Sequence, residues 1–176
     1  MLWVFGYGSL VWRPDFPYVK SRRGYVQHYK RGFWQGSPDH RGTPTNPGRV
    51  VTLLECHGAN CWGVAYGVRS QDERLVYDIL DARESGGYER AEVEVHFRDH
   101  GVIPALTYIA SPSNPNFLGE ASWDELLLQV RHAKGESGNN WEYVCRLAQA
   151  LDDLGIDDAH VQDLAKALVA GEEMKK

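Results

Sequence analysis

The feature that most constrains this chain is a change of hydrophobic period about two-thirds of the way along it. In the earlier part, short apolar or alternating runs are bounded by Gly, Pro, Asn or Asp, the mark of strands closed off by turns. Val4-Phe5 opens a short buried strand that runs into Gly6-Tyr7-Gly8-Ser9, and further strands are expected at Val50–Leu54, Cys61–Tyr66, Ala91–Phe97 and Ile103–Ile109. Between residues 24 and 36, Tyr25, Tyr29, Phe33 and Trp34 interleave with Lys and Arg, which predicts a strand pair with its aromatics toward a core. The segment 36–49 holds nearly every turn-forming residue type and little apolar surface, so it reads as a long, functional loop.

From Ser122 onward the apolar residues recur at three- and four-residue intervals. Ser122 and Glu125 form a capping-box pattern ahead of Leu126, Leu127 and Val130. A second helix carries Val144, Leu147, Ala148, Leu151 and Leu154, and a third, capped by Asp157 or Asp158, turns Val161, Leu164, Ala165 and Leu168 inward. One earlier helix is expected from Ser70, with Glu73 completing a capping box, Leu75, Val76, Ile79 and Leu80 on one face, and an end before Gly86-Gly87. Strands first, helices last and one helix between them describe an α+β fold: an antiparallel or mixed sheet partly covered by helices, not a regular βαβ array. The reading is of one domain over residues 1–176, with a frayed tail at 171–176.

Composition narrows the function classes. A net charge of −5 and a pI near 5.8 argue against nucleic-acid binding, which needs Lys and Arg against phosphates. No apolar run reaches the roughly 20 residues of a membrane span, and the N-terminus has no basic leader, so a mature, cytoplasmic protein starting at residue 1 is expected. Cys56, Cys61 and Cys145 make an odd, irregular set, consistent with reduced thiols in a reducing compartment.

Among candidate chemical groups, the turn Gly6-Tyr7-Gly8-Ser9 could let backbone N–H groups converge on a carboxylate, with the Ser9 hydroxyl as a further donor; it could equally be a tight turn. It fits neither the phosphate-binding P-loop nor the dinucleotide pattern. Glu84, at a helix end before a diglycine, is either a solvated surface carboxylate or one turned toward a cavity. Gln35 can donate and accept, and Tyr143, near a helix start, either points its phenol into a pocket or caps the core. His96 and His100 lie four apart on a strand, where they share no helical face, and the cysteines lack paired C-x-x-C spacing, so no metal site is expected.

Taken together, V-F-G-Y-G-S-L at Val4 to Leu10, F-W-Q-G-S-P-D-H-R-G at Phe33 to Gly42, P-G-R-V-V-T-L at Pro47 to Leu53, W-G-V-A-Y at Trp62 to Tyr66 and R-E-S-G-G-Y at Arg83 to Tyr88 resemble the ChaC family of glutathione-specific γ-glutamylcyclotransferases. The likeness runs nearly full length and is looser in the C-terminal helices. It implies a small closed mixed β-barrel flanked by helices. It also implies substrate binding by Val4, Phe5, Gly6, Tyr7, Gly8, Ser9 and Leu10 with Gln35 and Tyr143, and catalysis by Glu84. The implied reaction splits glutathione into 5-oxoproline and cysteinylglycine, with no cofactor and no metal, in a monomer. Two alternatives stand beside it: a cyclotransferase for other γ-glutamyl peptides or amines, and a non-catalytic γ-glutamyl-binding module, since the family's naming carries a cation-transport label.

Overall fold

The structure is a computed structural model that describes residues 1–173, with side chains to residue 170; the tail expected to fray at 171–176 lies outside those side chains. The chain divides into two compact units, each assembled from two segments: Met1–Arg31 with Leu53–Pro115, and Gly32–Thr52 with Asn116–Lys176.

The first unit contains the pairings that close a barrel. The strands β1 (Leu2–Gly6), β2 (Lys20–Ser37), β3 (Gly48–Val68), β4 (Glu89–His96) and β5 (Val102–Ile109) close in the order β1-β3-β2-β4-β5, and the first unit holds β1, β4 and β5 with β2 up to Arg31 and β3 from Leu53. β1 runs antiparallel to β3 from Leu2 opposite Val68 to Gly6 opposite Val64, and parallel to β5 where Val4 meets Leu106. That one parallel contact makes the barrel mixed and closes it. β4 and β5 form an antiparallel ladder from Glu89 opposite Ile109 to His96 opposite Val102. Val26, Val68 and Val95 are fully or almost fully buried, and the adjacent Val4 and Phe5 are both fully buried, so β1 is covered on both faces.

The expected strand pair over 24–36 is a single strand, β2, and the two strands expected over 50–66 are likewise one, β3. The glycines that suggested breaks serve other ends. A Cβ at Gly24 would fall 2.6 Å from Val95 Cγ1, so this residue marks a close approach within the barrel and not a turn. His28 and Gly58 adopt left-handed φ values of 63° and 81°, and the Gly58 N–H donates to His28 Nδ1 at 3.2 Å. The two strands thus bend at these residues without breaking. Of the aromatics expected inside, Phe33 and Trp34 are buried, while Tyr25 and Tyr29 are half-buried.

Helix α1 (Glu73–Arg83) buries Val76 and Leu80, but Leu75, expected on the same face, is 52% exposed. The capping box expected at Ser70 and Glu73 does not form, because the chain enters α1 through a 3₁₀ turn, Ser70–Asp72, that moves the cap to Asp72. Asp81 of α1 accepts from Arg90 Nε (2.8 Å) and from the Tyr108 hydroxyl (2.6 Å), fixing the helix to β4 and β5.

The second unit holds α2 (Trp123–His132), a short hairpin of β6 (Lys134–Gly135) and β7 (Gly138–Asn139) that the periodicity did not predict, α3 (Asn140–Asp153) and α4 (Ala159–Glu173). The Ser122–Glu125 capping box is present with both bonds, and Asp158 Oδ1 accepts the Val161 N–H, as a cap should. Val144, Leu147, Leu151, Val161 and Leu164 are buried. Arg49 ties this unit together: its guanidinium donates to the carbonyls of Phe33 (2.9 Å) and Gly119 (2.7 Å) and to Gln129 Oε1 (2.7 Å). Its own N–H and C=O are held by the Asn140 amide at 2.7 and 2.8 Å.

Candidate active site

β1 delivers the chain to the turn at Tyr7-Gly8, and a 3₁₀ turn, Ser9–Leu10–Val11, follows at once. Val4, Phe5, Gly6, Tyr7 and Leu10 are buried, whereas Gly8 and Ser9 are half-buried. The turn is tight for steric reasons. A Cβ at Gly6 would lie 2.6 Å from Leu10 Cβ, and one at Gly63 on β3 would lie 2.2 Å from the Gly6 carbonyl oxygen and 2.9 Å from the Phe5 ring.

Hydrogen bonds from four sides fix this turn. Thr107 Oγ1 donates to the Phe5 carbonyl (2.9 Å), Tyr7 Oη donates to the Tyr108 carbonyl (2.6 Å), and Tyr66 Oη donates to the Leu10 carbonyl (2.8 Å). The fourth is the buried Arg31, whose Nη1 donates to the Tyr7 carbonyl while its Nη2 donates to Trp62 (3.1 Å). With these acceptors engaged by the scaffold, the turn's shape does not depend on a bound molecule. Burial pushes the Tyr66 phenol well above the usual range, so it stays a neutral donor to the turn.

Glu84 caps the C-terminus of α1, its N–H donating to the Leu80 carbonyl at 2.8 Å. Its side chain keeps only 16% of its exposure, and burial raises the affinity of the carboxyl for a proton, opposed by the charge of Arg83. Arg83 Nε stands 3.7 Å from Glu84 Oε1, and Arg83 Nη2 donates to Ser9 Oγ at 2.9 Å. The sequence alternatives for Glu84 therefore resolve toward enclosure, and one guanidinium brings the glycine turn and this carboxyl together.

Gln35 and Tyr143 belong to the second unit. Gln35 is fully buried and pairs by its backbone with Phe117, and the Tyr143 phenol accepts the Val51 N–H at 3.3 Å with its ring near Phe33. Sequence reasoning did not single out Arg83, Arg31, Thr107, Tyr66 or Tyr108 as site-supporting residues. The position of Arg31 just ahead of the aromatic pair Phe33-Trp34 was a faint signal; a threonine on β5 gave none. Among the described residues, no cluster of three or more His, Cys, Asp or Glu is placed to hold a metal, and no helix is long and apolar enough to cross a membrane.

A family model described as ChaC-like protein matches residues 2–170. The chain belongs to the ChaC-like family. Similar ChaC relatives include the human "Glutathione-specific gamma-glutamylcyclotransferase 1", 45% identical over 95% of this chain and 78% of that protein. The Arabidopsis thaliana "Gamma-glutamylcyclotransferase 2-3" is 44% identical over 93% of this chain and 86% of the relative. Among solved structures, a yeast γ-glutamyl cyclotransferase specific to glutathione superposes with a TM-score of 0.89 at 29% identity, covering 96% of both chains. The closed mixed barrel with helices expected from the resemblance is thus the fold found here, and it superposes on that yeast enzyme.

Proposed function

We propose that this chain is a γ-glutamylcyclotransferase that cleaves glutathione into 5-oxoproline and cysteinylglycine. The observation that carries this reading is an enclosed carboxyl with raised proton affinity, joined through a single guanidinium to a pre-shaped glycine turn. In this reading the substrate's α-amine attacks its own γ-glutamyl carbonyl carbon, forming the lactam C–N bond as the amide bond to cysteine breaks. The ammonium must first lose a proton, and Glu84 accepts it. Glu84 then returns that proton to the departing nitrogen, and the second proton shed by the ring nitrogen passes to the freed amine, which ends as an ammonium, so no water is consumed and no cofactor is required. Such proton transfer is worth about 10²–10⁴-fold, and holding the amine against the carbonyl supplies further rate through orientation.

A glutamate titrating at about 4.3 is a poor base for an ammonium; burial at Glu84 moves the carboxyl in the useful direction. N–H groups of the Tyr7–Leu10 turn hold the substrate's α-carboxylate or carbonyl oxygen, against the wall made by Val4, Phe5 and Gly6. Gln35 and Tyr143 are assigned substrate contacts on the family resemblance. The same reading takes the protein as a cytoplasmic monomer working as one domain; an odd number of cysteines, none of them in a disulfide, supports the reducing compartment.

Incubating the protein with glutathione and measuring 5-oxoproline tests the proposal, with γ-glutamyl-alanine as comparator. Release from glutathione, lost by about 10² or more in Glu84→Gln while glutathione still binds, is the expected result. Turnover of γ-glutamyl-alanine in preference to glutathione overturns the substrate. Near-normal turnover by Glu84→Gln overturns the residue assignment.

A further inference from the structure

Arg83 carries more connections than a helix-terminal arginine needs. Its Nη2 donates to Ser9 Oγ (2.9 Å), its Nη1 donates to the Arg13 carbonyl (2.7 Å) and lies 3.4 Å from Asp15 Oδ2, and its Nε faces Glu84 Oε1 at 3.7 Å. The side chain is only 18% exposed. Position 83 therefore links three separate pieces of chain: the substrate turn, the segment that follows it, and the carboxyl of the next residue. A planar five-donor fork can span such acceptors; a single ammonium cannot.

Resting on the γ-glutamylcyclotransferase reading above, we propose that Arg83 is the positioning residue that couples the glycine turn to Glu84, and that Asp15 is its counterweight. Each partner acts on the shuttle differently. The arginine charge favours the ionised Glu84 carboxylate, opposing burial. Asp15 draws on the same guanidinium and also pairs with Arg13 Nε, so its charge weakens the support that reaches Glu84. One helical turn back, the Asp81 charge is engaged by Arg90 and the Tyr108 hydroxyl, and it is Arg83 that faces Glu84 with its charge. Asp15 sits at a left-handed φ of 53°, a conformation asparagine also tolerates, so Asp15→Asn removes the charge without disturbing the backbone.

The test is the pH profile of kcat/KM for glutathione in the full chain, after Glu84→Gln has established that Glu84 carries the reaction. Because Glu84 acts as an acceptor in its ionised form, the acid limb marks its deprotonation. Arg83→Gln should move that limb to higher pH by about one unit or more and raise KM as Ser9 loses its donor. Asp15→Asn should move the limb the opposite way, to lower pH, by a smaller step that shrinks in high salt. Arg83→Lys should restore the limb but not KM, since it returns the charge without the fork.

An acid limb unmoved in both Arg83→Gln and Asp15→Asn overturns the coupling while leaving the Glu84 assignment standing. A limb that moves in the same direction in both variants overturns the counterweight. Should Arg83→Gln fail to fold by circular dichroism, Asp15→Asn decides alone: a downward shift supports the proposal and an unchanged limb defeats it.

Discussion

Glu84 shows how enclosing a single side chain changes what it contributes to stability. Its proton affinity is raised by burial in the folded state, so the folded chain binds this proton more tightly than the unfolded one. Stability from this group is therefore fully present below the unfolded glutamate value, near 4.3, and is lost as pH rises through the folded value. At neutral pH the enclosed carboxylate is a liability, and Glu84→Gln removes it. The variant should melt higher than the parent at pH 7, with the difference closing toward pH 4; an equal or lower melting temperature at pH 7 would contradict the enclosure of Glu84. Sequence spacing alone could not reach this point, because enclosure depends on where Arg83, Ser9 and the turn come to lie. The strings around Glu84 and Gly6-Tyr7-Gly8-Ser9 pointed to both places, but no pattern in the sequence named the arginine between them.

At the scale of elements, two similar capping signatures met different fates. Ser122 and Glu125 exchange both bonds of the capping box ahead of α2, while at Ser70 and Glu73 the intervening 3₁₀ turn shifts the helix start by two residues. Ser122→Ala should cost about 1 kcal/mol, read as a lower midpoint in urea, and Ser70→Ala should cost clearly less. Equal losses at the two positions would mean that the box at α2 contributes nothing specific. The same limit on local reading fused the predicted strands. Gly24 and Gly58 carry ordinary turn chemistry, and only the neighbouring strand reveals that one accommodates Val95 and the other a bend opposite His28. The helices over α2, α3 and α4 were legible because their burial repeats along one chain segment; β6 and β7 are too short to carry a period.

For the molecule as a whole, barrel closure joins residues far apart in sequence. Val4 pairs with Leu106, and Tyr7 and Phe5 are bonded to Tyr108 and Thr107, so the glycine turn is complete only after β5 is in place. Closing loops of this length precedes any reward from the contacts they make, which places refolding on the order of milliseconds to seconds and not microseconds. Stopped-flow fluorescence from Trp3 and Trp62 would follow it; recovery of the barrel signal within microseconds would contradict this account of closure. The α+β class was legible from the change of period, whereas closure itself was implied only by the family resemblance, because strand order leaves no local trace in sequence.

The crowding between Gly63 and Gly6 also bears on how such a protein can diversify. The obstacle to a side chain at position 63 is a backbone oxygen, so no compensating substitution elsewhere in the turn can remove it. A position on β3 with no role in proton transfer is thereby as closed to mutation as the turn it faces. Ser9 is constrained in a different way, by a side-chain bond to Arg83 that a substitution at either residue alters. The routes by which this scaffold could change are thus set as much by a strand packed against the turn as by the turn itself.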